Sequence, residues 1–182
     1  DKMKLPKNIK IVGHVARLHP VKDHVNFILA SKKILQQDLN YFFIMVGREV
    51  NCEKIKNILQ NLKITKNFLL IDELKNPTDY FRIFDLTVNS SWAEAFPNVV
   101  AESILNYTPC IATKVGDADR ILNYDKNFLV PPRNPLMLYD CIIKYFNLDE
   151  KIKSKKINFL NKHITENFSL KNLIENYNKI YL

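Results

Sequence analysis

Two glutamates, Glu94 and Glu102, stand eight residues apart and bracket the stretch EAFPNVVAE. Glu94 closes the apolar run LTVNSSW. Pro97 follows where its missing N–H and fixed φ suit the first position of a helix. Glu102 then falls inside that helix, PNVVAESIL, about a turn and a half along. The backbone N–H groups at such a helix start have no partner within the helix, and they suit an anion. Carboxylates that accept from sugar hydroxyls, set beside a phosphate-binding helix start, suit a nucleotide-sugar. Taken alone, the same two glutamates also fit a helix cap and a surface ion pair.

A second charged pair lies near the start of the chain. Arg17 and Lys22 occur in VARLHPVKDH, five residues apart, across a loop and the opening of a helix. A guanidinium grips phosphate oxygens in a fork, and an ammonium acts as a point charge, so together they could neutralise a diphosphate. Two basic residues in a loop also fit a merely solvated loop. His14, His19 and His24 repeat every five residues, which matches neither helical i,i+4 ligation nor a familiar zinc spacing, and they read as structural or surface histidines. GxGxxG, GxxxxGK[ST] and GxSxG are all absent, which argues against a dinucleotide oxidoreductase, a P-loop NTPase and a nucleophile-elbow hydrolase.

The elements that must carry these residues alternate. Compact apolar runs at Ile9–Val15, Tyr41–Gly47, Asn67–Ile71, Leu86–Asn89, Pro109–Thr113 and Phe128–Val130 read as buried strands. Helical periodicity falls at Val21–Gln37, with Val25, Ile28, Leu29, Ile34 and Leu35 on one side, and at Cys52–Leu62, Asn76–Phe84 and Pro97–Tyr107. Several helices fill Pro135–Leu182, the last of them over about 149–182. This pattern predicts an α/β, Rossmann-like, doubly wound parallel sheet of about six strands in a single domain over residues 1–182. Ligands of such sheets bind beyond the carboxyl ends of the strands, which assigns the chemistry to the loops after Val15, Gly47, Ile71, Asn89 and Thr113. The only three glycines, Gly13, Gly47 and Gly116, fall near strand ends, where backbone approaches a ligand closely.

Composition bounds the class. At 182 residues and 47% apolar, the chain fits one soluble domain with a real core. No apolar run approaches the roughly 18 residues of a membrane span, and no leader peptide is visible. Cys52, Cys110 and Cys141 form no CxxC pair and read as reduced core thiols of a cytoplasmic protein. A net charge of +8 favours anionic partners. It is concentrated from Lys151 onward, where seven lysines face two acids. That segment reads either as a solvated helix face or as a contact for anionic lipid.

In this order the motifs resemble the C-terminal, donor-binding half of GT-B glycosyltransferases of the large retaining family 4, over nearly the whole chain. IVGHVARLHPVKDH resembles that family's opening strand and basic loop, and FFIMVGRE its second strand and trailing glycine. VNSSWAEAFPNVVAESILNYTPCIATKVGD resembles its signature block with the E-x7-E spacing, and NFLVPPRNPLMLYDCI the approach to the last helices. The resemblance implies that Arg17 and Lys22 hold the donor diphosphate, that Glu102 accepts from the ribose, and that Glu94 faces the transferred sugar. It further implies sugar and phosphate contacts along Glu94, Ala95, Phe96, Pro97, Asn98, Val99 and Glu102, chiefly backbone N–H groups of Phe96, Asn98 and Val99. Close approach falls at Gly13 and Gly47, and Glu73 and Leu74 border the base. Four positions depart from the family habit of glycine or a small residue: Ala16, Asp72, Asn106–Tyr107 and Asp117.

The implied function is retaining transfer from a nucleoside diphosphate sugar such as a UDP- or GDP-sugar, in bacterial polysaccharide or lipid-linked glycan synthesis. No metal or other cofactor is expected. The implied partners are the nucleotide-sugar, an N-terminal acceptor domain of the same polypeptide outside this chain, and a glycan or lipid-linked acceptor. An anionic membrane surface at the inner face is a further one. This half alone is expected to transfer little or nothing. The alternatives are a UDP-sugar epimerase-type GT-B domain and a basic nucleic-acid or anion-binding module. No aromatic-basic strand motif supports the latter, and no nucleic-acid partner is expected.

Overall fold

In the computed structural model, which describes residues 8–72 and 78–169 together with Asn172, Ile174 and Asn178, six parallel strands form one sheet. They are β1 (Lys10–Val15), β2 (Tyr41–Val46), β3 (Phe68–Ile71), β4 (Leu86–Asn89), β5 (Cys110–Thr113) and β6 (Leu129–Val130). Their spatial order is β3-β2-β1-β4-β5-β6, so the chain reverses its direction of travel across the sheet between β1 and β4. The connecting helices are α1 (His24–Leu35), α2 (Glu53–Asn61), α3 (Thr78–Phe81), α4 (Asn98–Leu105) and α5 (Ala118–Ile121), followed by α6 (Pro135–Phe146) and α7 (Glu150–Asn167).

The run YFFIMV of β2 is buried throughout because both sheet faces are covered. Its odd members, Tyr41, Phe43 and Met45, join the larger core with Val12, Phe27, Val88, Ile111 and Ile142. Its even members, Phe42, Ile44 and Val46, pack with Phe81 and Phe84 on the opposite face. Gly13 sits inside β1, not at its end. A Cβ there would lie 2.1 Å from the Phe84 ring, so the missing side chain makes room for that ring against the sheet.

The first helix differs from the sequence reading. It opens as a 3-10 turn at Pro20–Lys22, breaks at Asp23 with φ 45°, and becomes α-helical only from His24. The buried face of α1 includes Phe27, Ile28, Ser31, Ile34 and Leu35, while Val25 and Leu29, read as part of the stripe, are exposed. His14 and His24 are buried with their rings 4.7 Å apart, and His14 stacks on Phe27. Burial pushes both below the ordinary imidazole range, His24 to about 4. Cys110 and Cys141 are buried thiols whose burial raises them well above the usual value.

At the far end of α4 the chain closes in a Schellman turn, with Thr108 N–H donating to Ser103 O and Tyr107 N–H to Ile104 O. Tyr107 takes φ 59°, a left-handed conformation that glycine adopts without strain. In the basic α7, Lys153 pairs with Glu150 and Lys156 with Asp125, so part of the predicted anion-facing charge is neutralised within the protein. No helix among the described residues is long and apolar enough to cross a membrane.

Two outcomes follow from this packing. The exposed Tyr107 side chain gains nothing from its strained backbone, so Tyr107→Gly is expected to keep stability unchanged or raise it by up to about 1 kcal/mol in chemical denaturation. A neutral histidine whose native pKa lies below its unfolded value binds more protons when unfolded. The stability it contributes is therefore full above about pH 6.5 and lost as pH falls toward 4. His24→Gln is expected to flatten that loss by up to about 1.4 kcal/mol per pH unit in melts between about pH 7 and 4.5, and an unchanged slope would refute it.

Candidate functional site

The reversal between β1 and β4 leaves a crevice at the carboxyl edge of the sheet, and the loops leaving the two strands meet there. The turn after β1 is anchored from the β4 side at three points. Ser90 Oγ lies 2.9 Å from both Lys22 O and Asp23 O. The Trp92 backbone N–H donates to Val21 O at 2.9 Å, and its indole N–H donates to Pro20 O at 2.9 Å. Within the turn, the Asp23 carboxylate caps α1 by accepting from Asn26 N–H at 3.2 Å.

This anchoring sets Lys22 Nζ 2.5 Å from Glu94 Oε1. Ser91 Oγ donates to the same carboxylate oxygen at 2.7 Å. Glu94 is only 12% exposed and Lys22 24%, so the pair is screened less than a surface ion pair. Among the described residues, Glu94 Oε2 and the two remaining ammonium protons have no partner, which leaves an acceptor and two donors unused.

The start of α4 also departs from the sequence reading. Pro97 is not the first helical residue. It has φ −77° and ψ 84°, an inverse γ-turn, and Asn98 N–H donates across it to Phe96 O at 3.0 Å. The Asn98 N–H is therefore occupied within the protein. Among the described residues, Phe96 N–H and Val99 N–H have no backbone partner and remain as donors. Glu102 lies in the second turn of α4, half-buried, its carboxylate without a hydrogen-bond partner among the described residues.

Gly116 presses the loop after β5 onto this segment. It has φ 52°, and a Cβ there would lie 2.2 Å from Ala95 O and 2.4 Å from Glu94 O, while Asp117 N–H donates to Ala95 O. A Cβ on Gly47 would lie 2.1 Å from Ala16 O. Both glycines permit protein backbone to approach protein backbone. Arg17 is held between two bonds to the exit of β2, Ala16 N–H to Val46 O and Leu18 N–H to Arg48 O. Its side chain is exposed and forms no ion pair among the described residues. Glu73 and Leu74 lie outside the described residues.

The sequence reading missed Ser90, Ser91 and Trp92 as the groups that join the two loops. Thr113 Oγ1 adds a bond to Ser91 O from β5. Their signal was positional: two hydroxyls directly follow a buried strand and stand three and four residues before the glutamate, in a loop that the carboxyl-edge rule marks.

Comparison with known proteins agrees with this layout. Among curated relatives, the poly(ribitol-phosphate) alpha-N-acetylglucosaminyltransferase of Staphylococcus aureus (strain COL) is 22% identical over 94% of this chain and 35% of its own length. The chain spans less than half the length of the curated relatives it matches. Among solved structures, a glycosyltransferase from Rickettsia africae superposes with a TM-score of 0.85 at 24% identity, over 97% of this chain and 48% of that one. Anabaena HepE, solved with UDP and glucose, superposes with a TM-score of 0.82 at 21% identity, over 96% and 49%. These likenesses show the fold, one Rossmann-like half of the GT-B architecture. The family described as Glycosyl transferases group 1 matches residues 1–159, and the chain belongs to it.

Proposed function

We propose that this chain is the donor half of a retaining glycosyltransferase and holds a nucleoside diphosphate sugar at the crevice between β1 and β4. One observation carries the reading: Lys22 Nζ meets Glu94 Oε1 at 2.5 Å, which joins a cation on the loop after β1 to the segment whose Phe96 and Val99 N–H groups have no backbone partner among the described residues. The diphosphate accepts from Lys22, from Arg17 on the same loop and from the start of α4. Glu94 Oε2 accepts from a hydroxyl of the sugar, and Glu102 accepts from the ribose.

Departure of the diphosphate develops negative charge on the leaving oxygens. Lys22 is already oriented by Glu94, and the α4 donors by the γ-turn, so little reorganisation accompanies the step. In this reading the countercharge is borne by the protein, with no metal. An acceptor domain beyond this chain supplies the second wall of the cleft and binds a glycan or lipid-linked acceptor. Lys151 and Lys155 on α7 form no ion pair among the described residues, and they suit an anionic membrane surface.

A thermal-shift panel tests the class. UDP or GDP is expected to raise the melting temperature of the chain, and a DNA oligonucleotide to leave it unchanged. Stabilisation by DNA alone would favour the anion-binding module and reject the donor reading. In the full-length protein, Lys22→Ala is expected to lower kcat/KM on the order of a hundredfold or more with the fold intact by circular dichroism. Near-normal turnover in that variant would remove Lys22 from the site.

A further inference from the structure

The hydrogen-bond arithmetic at Ser90 assigns a role to two residues that face no ligand. Ser90 is fully buried and its hydroxyl carries a single proton. Lys22 O and Asp23 O, both 2.9 Å away, can only accept, so that proton is committed to the turn. The third neighbour, His14 Nε2, also 2.9 Å away, must then donate into the hydroxyl oxygen. Burial disfavours the charged ring, so the neutral His14 carries its proton on Nε2. Its Nδ1 has no partner among the described residues, and Phe27 and His24 hold the ring in place. The result is a directed chain from His14 through Ser90 to the peptide that carries Lys22.

We propose that Ser90 and His14 are positioning residues: they fix the Lys22–Asp23 peptide so that the Lys22 ammonium stays on Glu94 at the crevice. The proposal rests on the reading of Lys22 as a diphosphate ligand only for its functional consequence. The positioning itself can be read without a ligand. Asp23 is left-handed at φ 45°, a region uncommon for residues other than glycine, and Ser90 Oγ lies 2.9 Å from the carbonyl oxygens on both sides of its Cα. Trp92 is the chain's single tryptophan, and its indole N–H is bonded to Pro20 O in the same turn, so its emission reports displacement of the turn.

The test uses Ser90→Ala and a matched pair at His14. His14→Gln keeps an N–H donor near the Nε2 position, and His14→Leu removes it. Two readouts need no ligand: Trp92 emission, and the rate at which Lys22 is acylated by acetic anhydride, mapped by mass spectrometry against the exposed Lys54 and Lys66 as internal references. Ser90→Ala and His14→Leu are expected to shift the emission and to raise the relative acylation rate of Lys22 several-fold, while His14→Gln stays close to the parent. With UDP and GDP as probes, Ser90→Ala is expected to weaken binding of the nucleotide that stabilises the parent by roughly five- to tenfold, the scale of one hydrogen bond. It should weaken binding no further once Lys22→Ala is present, whereas a general loss of structure would add.

Unchanged acylation and emission in folded Ser90→Ala would overturn the proposal. If Ser90→Ala does not fold, the His14 pair decides in its place, and identical behaviour of the Gln and Leu variants overturns it. If Lys22→Ala itself leaves nucleotide affinity unchanged, the diphosphate reading fails, and the acylation arm still decides the positioning.

Discussion

The site depends on the seam between the turn after β1 and the loop after β4. Those segments lie nearly seventy residues apart in the chain and are neighbours only because the sheet reverses its winding between them. The reversal opens a crevice, but a crevice alone would leave two mobile loops. Three bonds from Ser90 and Trp92 to residues 20–23 turn it into a fixed surface. On that surface Lys22 and Glu94 meet as a consequence of backbone anchoring, because two long side chains in solvent pay much of their attraction back in lost rotamer freedom.

The same economy governs the other wall. Pro97 does not simply open α4. It bends the chain through an inverse γ-turn that occupies Asn98 N–H, while Phe96 and Val99 N–H have no backbone partner among the described residues. Gly116 then lets the loop after β5 lie against the carbonyls of Glu94 and Ala95 at a separation no side chain would permit. Phe96, in turn, packs against Phe168 just beyond α7, so the last described helix braces the donor loop from outside. Each contact removes a degree of freedom from a segment that carries a charged or donor group, which is the physical meaning of a preorganised site.

Strain is stored where the positioning is tightest and tolerated where it is not. Asp23 is left-handed at the turn where Ser90 meets its carbonyl and its own carboxylate caps α1 at Asn26. Tyr107 is left-handed at the end of α4, away from the seam, in a Schellman turn that calls for glycine. The first conformation carries Lys22; the second only ends a helix.

Much of this was legible in the residues. Strands such as YFFIMV are apolar on both faces because both faces are covered, and that burial writes itself into composition regardless of partners. The alternation of such runs with helices implied a parallel doubly wound sheet, and the carboxyl-edge rule pointed to the loops holding Arg17, Lys22, Glu94 and the start of α4. The phase of α1 was not legible. Val25 and Leu29 fit the helical period, but the face that packs on the sheet is the neighbouring one, through Phe27, Ile28, Ser31, Ile34 and Leu35, and leaves them exposed. Nor was the loss of Asn98 as a free donor, since a proline before a helix is compatible with either geometry. The chain's own order of residue types thus determined which segments are buried and which carry charge, because hydrophobicity and helical period are local properties. Which hydroxyl bonds which carbonyl, which N–H stays free and which face of a helix is covered were decided only by tertiary structure, because each depends on a partner distant in sequence.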